Sequence, residues 1–325
     1  MSRPDFLSPI YLRSAATLGV ANGSSCTPDP QKLLNPNRTP MLIDQFRFSG
    51  PTVSDLSMAI GDVCQYILAD IRLGSIPLTN GLVPIGAFAP TYLLYPGGAS
   101  MAAGQIVADT QLVWHLPRPM YVPPDVQVSV KFARAPFAAI GANSASLPLE
   151  ACSMVAGIAG RSMPHGSPVP DKMYVPWVGA TSIYDAVTEW ESRDSELGNP
   201  HRESMRITKF VGFNGKVSTR LGGSGETYTS LQMNCAPDFN LRMTLSSGKM
   251  LVRDPTPYCH LFPGERPYFN CDGVLQQNEF VRAMLSMTPV TGGLAGADPQ
   301  VADLRFTTIG MQGYREIQTP QGAQP

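Results

Sequence analysis

Met41-Leu42-Ile43-Asp44-Gln45-Phe46-Arg47-Phe48-Ser49-Gly50 and Met205-Arg206-Ile207-Thr208-Lys209-Phe210-Val211-Gly212-Phe213-Asn214-Gly215 share a similar strand pattern. Met41, Ile43, Phe46, Phe48 and Gly50 match Met205, Ile207, Phe210, Phe213 and Gly215, with one residue inserted in the second copy. Phe46 and Phe48 alternate with Gln45 and Arg47 as a half-buried strand requires, while Ile43 sits slightly out of step. Two further landmarks follow in the same order. An aromatic-proline corner, Trp114-His115-Leu116-Pro117-Arg118-Pro119-Met120-Tyr121, resembles Cys259-His260-Leu261-Phe262-Pro263-Gly264-Glu265-Arg266-Pro267-Tyr268. A closing Gly-basic run, Val155-Ala156-Gly157-Ile158-Ala159-Gly160-Arg161, is echoed by Ile309-Gly310-Met311-Gln312-Gly313-Tyr314-Arg315. Ordered landmarks of this kind indicate an internal duplication.

The duplication divides the chain into an N-terminal arm (1–40), a first unit (41–161), a connector (162–204), a second unit (205–315) and a tail (316–325). The first unit carries strand-like runs at 91–95, 110–116, 126–132 and 149–159; in one of them Val126, Val128, Val130 and Phe132 alternate with Gln127, Ser129 and Lys131. The second unit has such runs at 205–213, 227–234, 241–245, 249–253, 279–287 and 304–310. Leu56, Ile60, Val63, Ile67 and Ile71 suit a helix over 54–73, although 65–73 also fits a buried strand. Ile183, Val187 and Trp190 predict a short amphipathic helix over 183–197 within the connector, stopped by Gly198-Asn199-Pro200. The fold class is therefore all-β: two tandem eight-stranded antiparallel jelly-roll sandwiches with few short helices. The arm, rich in Pro, Ser and Asn, has no sustained period and is expected to lie outside any core and to order only on assembly.

Composition narrows the function. Hydrophobic residues are 43% of the 325-residue chain, but charged residues only 15%, against roughly 25% in an average soluble protein. A chain so poor in charge is expected to cover much of its surface with subunit contacts. The 30 glycines and 31 prolines are spread along the chain and mark turns between short strands. A formal net charge of −1 with no Lys/Arg run argues against direct, sequence-specific nucleic-acid binding. The first twenty residues lack the apolar stretch of a secretory signal, and no window is long and apolar enough for a membrane-spanning helix. The six cysteines are then expected to be free thiols made in a reducing cytoplasm, and Asn22-Gly23-Ser24 and Asn37-Arg38-Thr39 to be chance matches to a glycosylation sequon.

Motifs for chemistry are incomplete. Gly222-Gly223-Ser224-Gly225-Glu226 has Glu where a nucleophile elbow needs its last Gly. Gly215-Lys216-Val217 and Gly248-Lys249-Met250 lack the hydroxyl residue of a phosphate-binding loop and are expected to be hairpin turns. Cys259, His260, Cys271 and Cys235 lack the close pairing of a zinc site, and Cys259 and His260, adjacent on a strand, would face opposite ways. Asp185, Glu189, Glu191, Asp194 and Glu196 read as a solvated helix face rather than a facing carboxylate pair. Trp114, Tyr121, Trp177 and Trp190 are expected in cores or interfaces, and His115, His165 and His201 have no evident partner. No catalytic, cofactor or metal residues are assigned, and the chain is not expected to be an enzyme.

Two β-rich units, a preceding arm and a Pro-rich connector together resemble the double jelly-roll major capsid proteins of tailless icosahedral viruses, above all those of membrane-containing phages. The resemblance covers 41–161 and 205–315. It implies a structural virion protein that self-assembles as a homotrimer of six barrels, a pseudo-hexagonal block tiling a shell beside neighbouring capsomers and minor capsid or vertex proteins. It places the protein in the virion after synthesis in the host cytoplasm, with the arm turned inward. If an internal lipid membrane lies beneath, Arg3, Arg13, Lys32 and Arg38 are the residues expected to meet its headgroups. The alternatives from other classes are a secreted double jelly-roll amidase that processes glycans, with an acidic site between its barrels, and a sugar-binding attachment or vertex protein.

Overall fold

In the computed structural model of the chain, residues 8–18, 29–52, 67–88, 111–134, 152–183, 189–221, 227–233, 239–262, 268–287 and 301–319 are described. The first unit contains β1 (Ser8–Leu18), β2 (Gln31–Leu33), β3 (Met41–Thr52), β4 (Ile67–Leu73), β5 (Ile76–Pro77), β6 (Val83–Pro84), β7 (Gln111–Val122), β8 (Val128–Arg134) and β9 (Cys152–Ser162). They form one sheet in the order β1-β9-β3-β7 and another in the order β2-β8-β4-β5, with β6 also on β4; every pairing is antiparallel. The second unit contains β10 (Lys172–Ile183), β11 (Glu189–Glu191), β12 (Met205–Leu221), β13 (Thr227–Met233), β14 (Phe239–Leu245), β15 (Met250–Pro257), β16 (Tyr268–Leu275), β17 (Val281–Met287) and β18 (Val301–Gln318). Its sheets run β10-β18-β12-β16, with the β12–β13 hairpin prolonging one corner, and β11-β17-β14-β15. Raising each label of the first sheet by nine gives its counterpart in the second unit. Each unit is a jelly roll: two antiparallel sheets closed over a core by alternate residues.

The duplication extends to individual bonds. Each third strand has a bulge at one place, at Asp44 between Ile43 and Gln45 in β3 and at Thr208 between Ile207 and Lys209 in β12. Gly160 lies opposite Ile43, and Gly313 opposite Ile207. Beyond the bulge, Phe46 stacks on Trp114 at 5.3 Å between centroids, and Phe210 on Phe269 at 5.2 Å. Before it, two buried asparagines tie equivalent turns. Asn35 Nδ2 donates to the Thr39 carbonyl at 2.8 Å and its Oδ1 accepts from the Asn37 amide. Asn199 Nδ2 donates to the Glu203 carbonyl at 2.9 Å and its Oδ1 accepts from the His201 amide. The repeat thus runs Asn35-Pro36-x-Arg38-x-x-Met41-x-Ile43-x-x-Phe46 against Asn199-Pro200-x-Arg202-x-x-Met205-x-Ile207-x-x-Phe210, without an insertion. Gly212, not Phe213, stands where Phe48 stands in the first unit.

The first core is built on Phe46, Phe48, Phe88, Trp114 and Phe132, and the second on Trp177, Phe210, Met243, Tyr258 and Phe262, all with essentially no exposure. Trp114, Tyr121 and Trp177 are buried and Trp190 packs on the second core, as their sequence context indicated.

Several expectations are corrected. Within 1–40 the described residues do not lie outside the core: β1 forms the flank of the first sheet, with Ile10 and Leu12 packed against the core, and Leu33 of β2 is buried in it. Likewise 162–204 is not simply a connector, since β10 is the first strand of the second unit. Over 67–73 the chain is the buried strand β4, not a helix, while 53–66 lie outside the described residues. No helix occupies 189–197, which form β11 and a turn; 184–188, Asp185 included, lie outside the described residues. Residues 316–318 continue β18 instead of forming a tail. The aromatic-proline corners are not counterparts: the first lies within β7, whereas Tyr258–Leu261 is a helical turn ahead of β16, so Cys259 and His260 are not on a strand. Gly248 does sit in a hairpin turn, at φ +87°, but Gly215-Lys216-Val217 is interior to β12. The runs at 222–226, 91–95 and 149–151 lie outside the described residues, as do Cys26, Cys64 and Cys235.

Candidate functional site: the seam and the outer faces

The two jelly rolls meet along a polar and apolar seam. From the first unit, residues 78–88 lie over the outer side of β10 and β18. The Asn80 amide donates to the Val178 carbonyl at 2.9 Å, and the Val178 amide donates to the Leu78 carbonyl at 3.0 Å. Gln312, 2% exposed, donates from Nε2 to the carbonyls of Ala87 and Phe88 at 2.7 and 2.8 Å. Ala87 packs so closely over Gly310 that a Cβ there would lie 2.8 Å from its own. Asn80 Nδ2 also reaches the carbonyls of Ser195 and Glu196. Met173, Val175 and Val178 of β10 belong to the first core, so the seam continues that core rather than merely touching it.

The β7 bulge adds a clasp. Registers pair Ile43 with Met120 and Gln45 with His115, so 116–119 loop out of the ladder. Arg118 thereby reaches the second unit, where its guanidinium lies 4.6 Å from the Tyr174 ring centre and 5.5 Å from that of Tyr314. An arginine held between two tyrosine faces bonds through cation–π attraction and stacking.

At the mouth of the seam is an open cleft of about 570 Å³ lined by Ile76, Lys172, Glu203, Arg315, Glu316 and Gln318. Arg315, 6% exposed on its side chain, donates to the Pro77 carbonyl at 3.3 Å and faces Glu203 at 3.6 Å, while Lys172 pairs with Glu316. Beside it, His201 meets Trp177 edge-on at 4.6 Å. Burial, with the Arg315 charge nearby, holds the His201 imidazole at a pKa of about 4, so it is neutral near pH 7. The cleft's charges are matched in pairs, an arrangement suited to fastening the units together. Among the described residues, no three His, Cys, Asp or Glu side chains gather as a metal set. The expected acidic face is dispersed: Glu191 and Asp194 pair with Arg282, and Glu196 accepts from Thr181 and the Arg193 amide.

Of the basic residues singled out from sequence, Arg3 lies outside the described residues. Arg13 is exposed on β1, Lys32 is exposed on β2 in the other sheet, and Arg38, at φ +49°, is exposed on the Asn35 turn. Their two strands touch through Ser14 Oγ donating to Gln31 Oε1 at 2.7 Å. Around Arg13 the outer face of the first sheet carries Tyr11, 47% exposed, which lies over Gly157 and under the Arg47 guanidinium. On the opposite flank of the molecule β16 pairs, among the described residues, with β12 alone. It presents Val274, 48% exposed, and Asp272, which takes a two-pronged contact from Arg206 at 3.0 and 3.1 Å. Sequence reasoning missed the seam residues. Gly310, Gln312, Tyr314, Arg315 and Arg118 stood in motifs it had marked, but those motifs were read for repetition, not contact.

Four sheets in two matching pairs, fastened by this seam, define a double jelly-roll protein. No protein-family model and no curated protein matches the chain. Among solved structures it is similar to the major capsid protein P2 of bacteriophage PM2, at 12% identity over 97% of this chain and 99% of that one, with a TM-score of 0.34. It is similar also to VP54 of PBCV-1, fitted into a reconstruction of the virophage Sputnik, at 8% identity over 99% and 97% with a TM-score of 0.47. The Faustovirus major capsid protein aligns at 6% identity over 98% and 92%, with a TM-score of 0.41.

Proposed function

We propose that the chain is a structural virion protein, a major capsid protein whose copies associate as trimers that tile an icosahedral shell. The observation that carries this reading is the seam, which locks two jelly rolls of one strand order into a single block. A block of paired barrels offers sides of matching design to its neighbours, and a charge content of 15% suits sides that are covered in an assembly. The rival amidase reading calls for an acidic site between the barrels, yet Glu203 and Glu316 there are each matched by a cation. Analytical ultracentrifugation and electron microscopy of the purified protein test the proposal. Trimers that pack into hexagonal arrays or shells are expected; a monomer at every concentration, with glycan-cleaving activity, overturns it.

Virion location, contact with vertex proteins and contact with an internal membrane follow as parts of the same reading. For the membrane, Arg3, Arg13, Lys32 and Arg38 supply the cationic contact. The protein is expected to co-sediment with vesicles containing phosphatidylserine and to release them as salt rises. Unchanged binding by a variant with all four residues changed to Glu rules that contact out.

A further inference from the structure

We propose that the cleft at the mouth of the seam binds a small carboxylate with a short apolar body. The site goes beyond the shell-building role and does not depend on it. Arg315 is its centre. The Arg315 side chain is 6% exposed, yet among the described residues its guanidinium makes one hydrogen bond, to the Pro77 carbonyl at 3.3 Å. Its Nε is buried without a partner among those residues. The Glu203 carboxylate stands 3.6 Å from Nη1, beyond hydrogen-bond reach. Buried polar groups ordinarily find partners, so a buried guanidinium with most of its N–H donors unmatched is far from satisfied. Burial holds its pKa below the ordinary arginine value, and the Glu203 charge offsets this only in part.

The walls of the cleft define the chemistry of its occupant. A carboxylate meets a guanidinium in a forked, charge-assisted pair, the match best suited to donors fixed in one plane. Glu203 fills that role only at long range. Its main-chain carbonyl is held by Asn199 Nδ2 at 2.9 Å, and its side chain, 44% exposed, can turn to water when another carboxylate takes its place. Lys172 adds a second cation to the lining. Ile76 and Ile317, both packed against the first core, offer apolar surface to a hydrocarbon body. The volume of about 570 Å³ falls within the roughly 300–1,000 Å³ of small-ligand sites. Ile76 and Pro77 come from the first unit, Arg315 and Ile317 from the second, so an occupant bridges the two units at the seam.

The test is saturation-transfer NMR on the full chain, with sodium butyrate as the probe and butyramide, its uncharged isostere, as the control. Butyrate is expected to bind saturably with a Kd on the order of 1 mM. Butyramide is expected to bind about tenfold more weakly at the same ionic strength. Arg315→Gln is expected to abolish butyrate binding, with circular dichroism to verify folding. Because Arg315 also braces Pro77, a second variant decides the matter where that one does not fold. Glu203→Gln removes the competing carboxylate at an exposed position and is expected to tighten butyrate binding about threefold. Any one of four results overturns the site: no saturable binding, equal binding of butyramide, butyrate retained by a folded Arg315→Gln chain, or a Glu203→Gln chain that binds no better than wild type.

Discussion

Gly160 and Gly313 stand at the same point of two different sheets, each pressed against a backbone carbonyl of the strand beside it. A Cβ would lie 2.0 Å from the Leu42 oxygen in one and 2.4 Å from the Arg206 oxygen in the other. Both positions adjoin the bulges at Asp44 and Thr208, where the strands draw together. Because backbone cannot yield as a side chain can, Gly160→Ala and Gly313→Ala are each expected to cost about 2–3 kcal/mol, measured by urea unfolding. A cost below 0.5 kcal/mol at either would show that the close approach is not enforced.

Asn35 and Asn199 hold equivalent turns with buried amides, each 1% exposed. Alanine at either removes the donor and leaves buried carbonyls without their partner. Each substitution is expected to lower stability by about 1–3 kcal/mol, and by similar amounts, in thermal unfolding. Markedly unequal losses would argue against the equivalence of the turns.

Gln312→Ala tests the seam without disturbing either core. It strands the carbonyls of Ala87 and Phe88. Amide exchange is expected to quicken at Asn80 and Val178, whose bonds join the units, while amides within β8 and β17 keep their protection. Uniform quickening everywhere would mean that the seam is not a separate element.

Acid is expected to weaken the fold through His201. In the folded chain its imidazole titrates at about 4, while in the unfolded chain it regains a value near 6.5. As pH falls below roughly 6.5 the unfolded state takes up a proton that the folded state refuses, so stability is complete above that value and declines toward pH 4. His201→Gln should flatten this part of the pH–stability curve. An unaltered curve would place the acid sensitivity elsewhere.

Removing residues 1–18 takes away β1 and leaves β9, which carries Ile158, as an open edge. The truncated chain is expected to aggregate and to be cut readily within the first unit under limited proteolysis. Wild-type protease resistance would show that β1 is dispensable.

The third and last strands of each unit were legible in sequence because buried side chains there recur at one spacing: Met41, Ile43 and Phe46 against Met205, Ile207 and Phe210. The stronger part of the repeat, Asn35-Pro36-x-Arg38 against Asn199-Pro200-x-Arg202, escaped because its residues belong to a turn and carry no apolar period. β1 was missed for a related reason: Ile10 and Leu12 pack inward on the core, and the sequence then runs into Ser14, Ala15 and Ala16, which carry no apolar alternation. In β4, Ile67 and Ile71 are spaced as a helix would space them, but Ala69 and Leu73 are equally buried, and that alternation belongs to a strand. The seam was illegible because it depends on which carbonyl Gln312 finds, and that follows only from how the two units meet.

The strand order has a consequence for the making of the protein. In both units the last strand to be synthesised lies between the first and the third: β9 separates β1 from β3, and β18 separates β10 from β12. While the chain is still emerging from the ribosome, each sheet is split by a gap that only its final segment can fill. The second unit must wait until Val301–Gln318 is available, so a nascent chain stalled before that point displays two unsatisfied strand edges at once, β10 and β12.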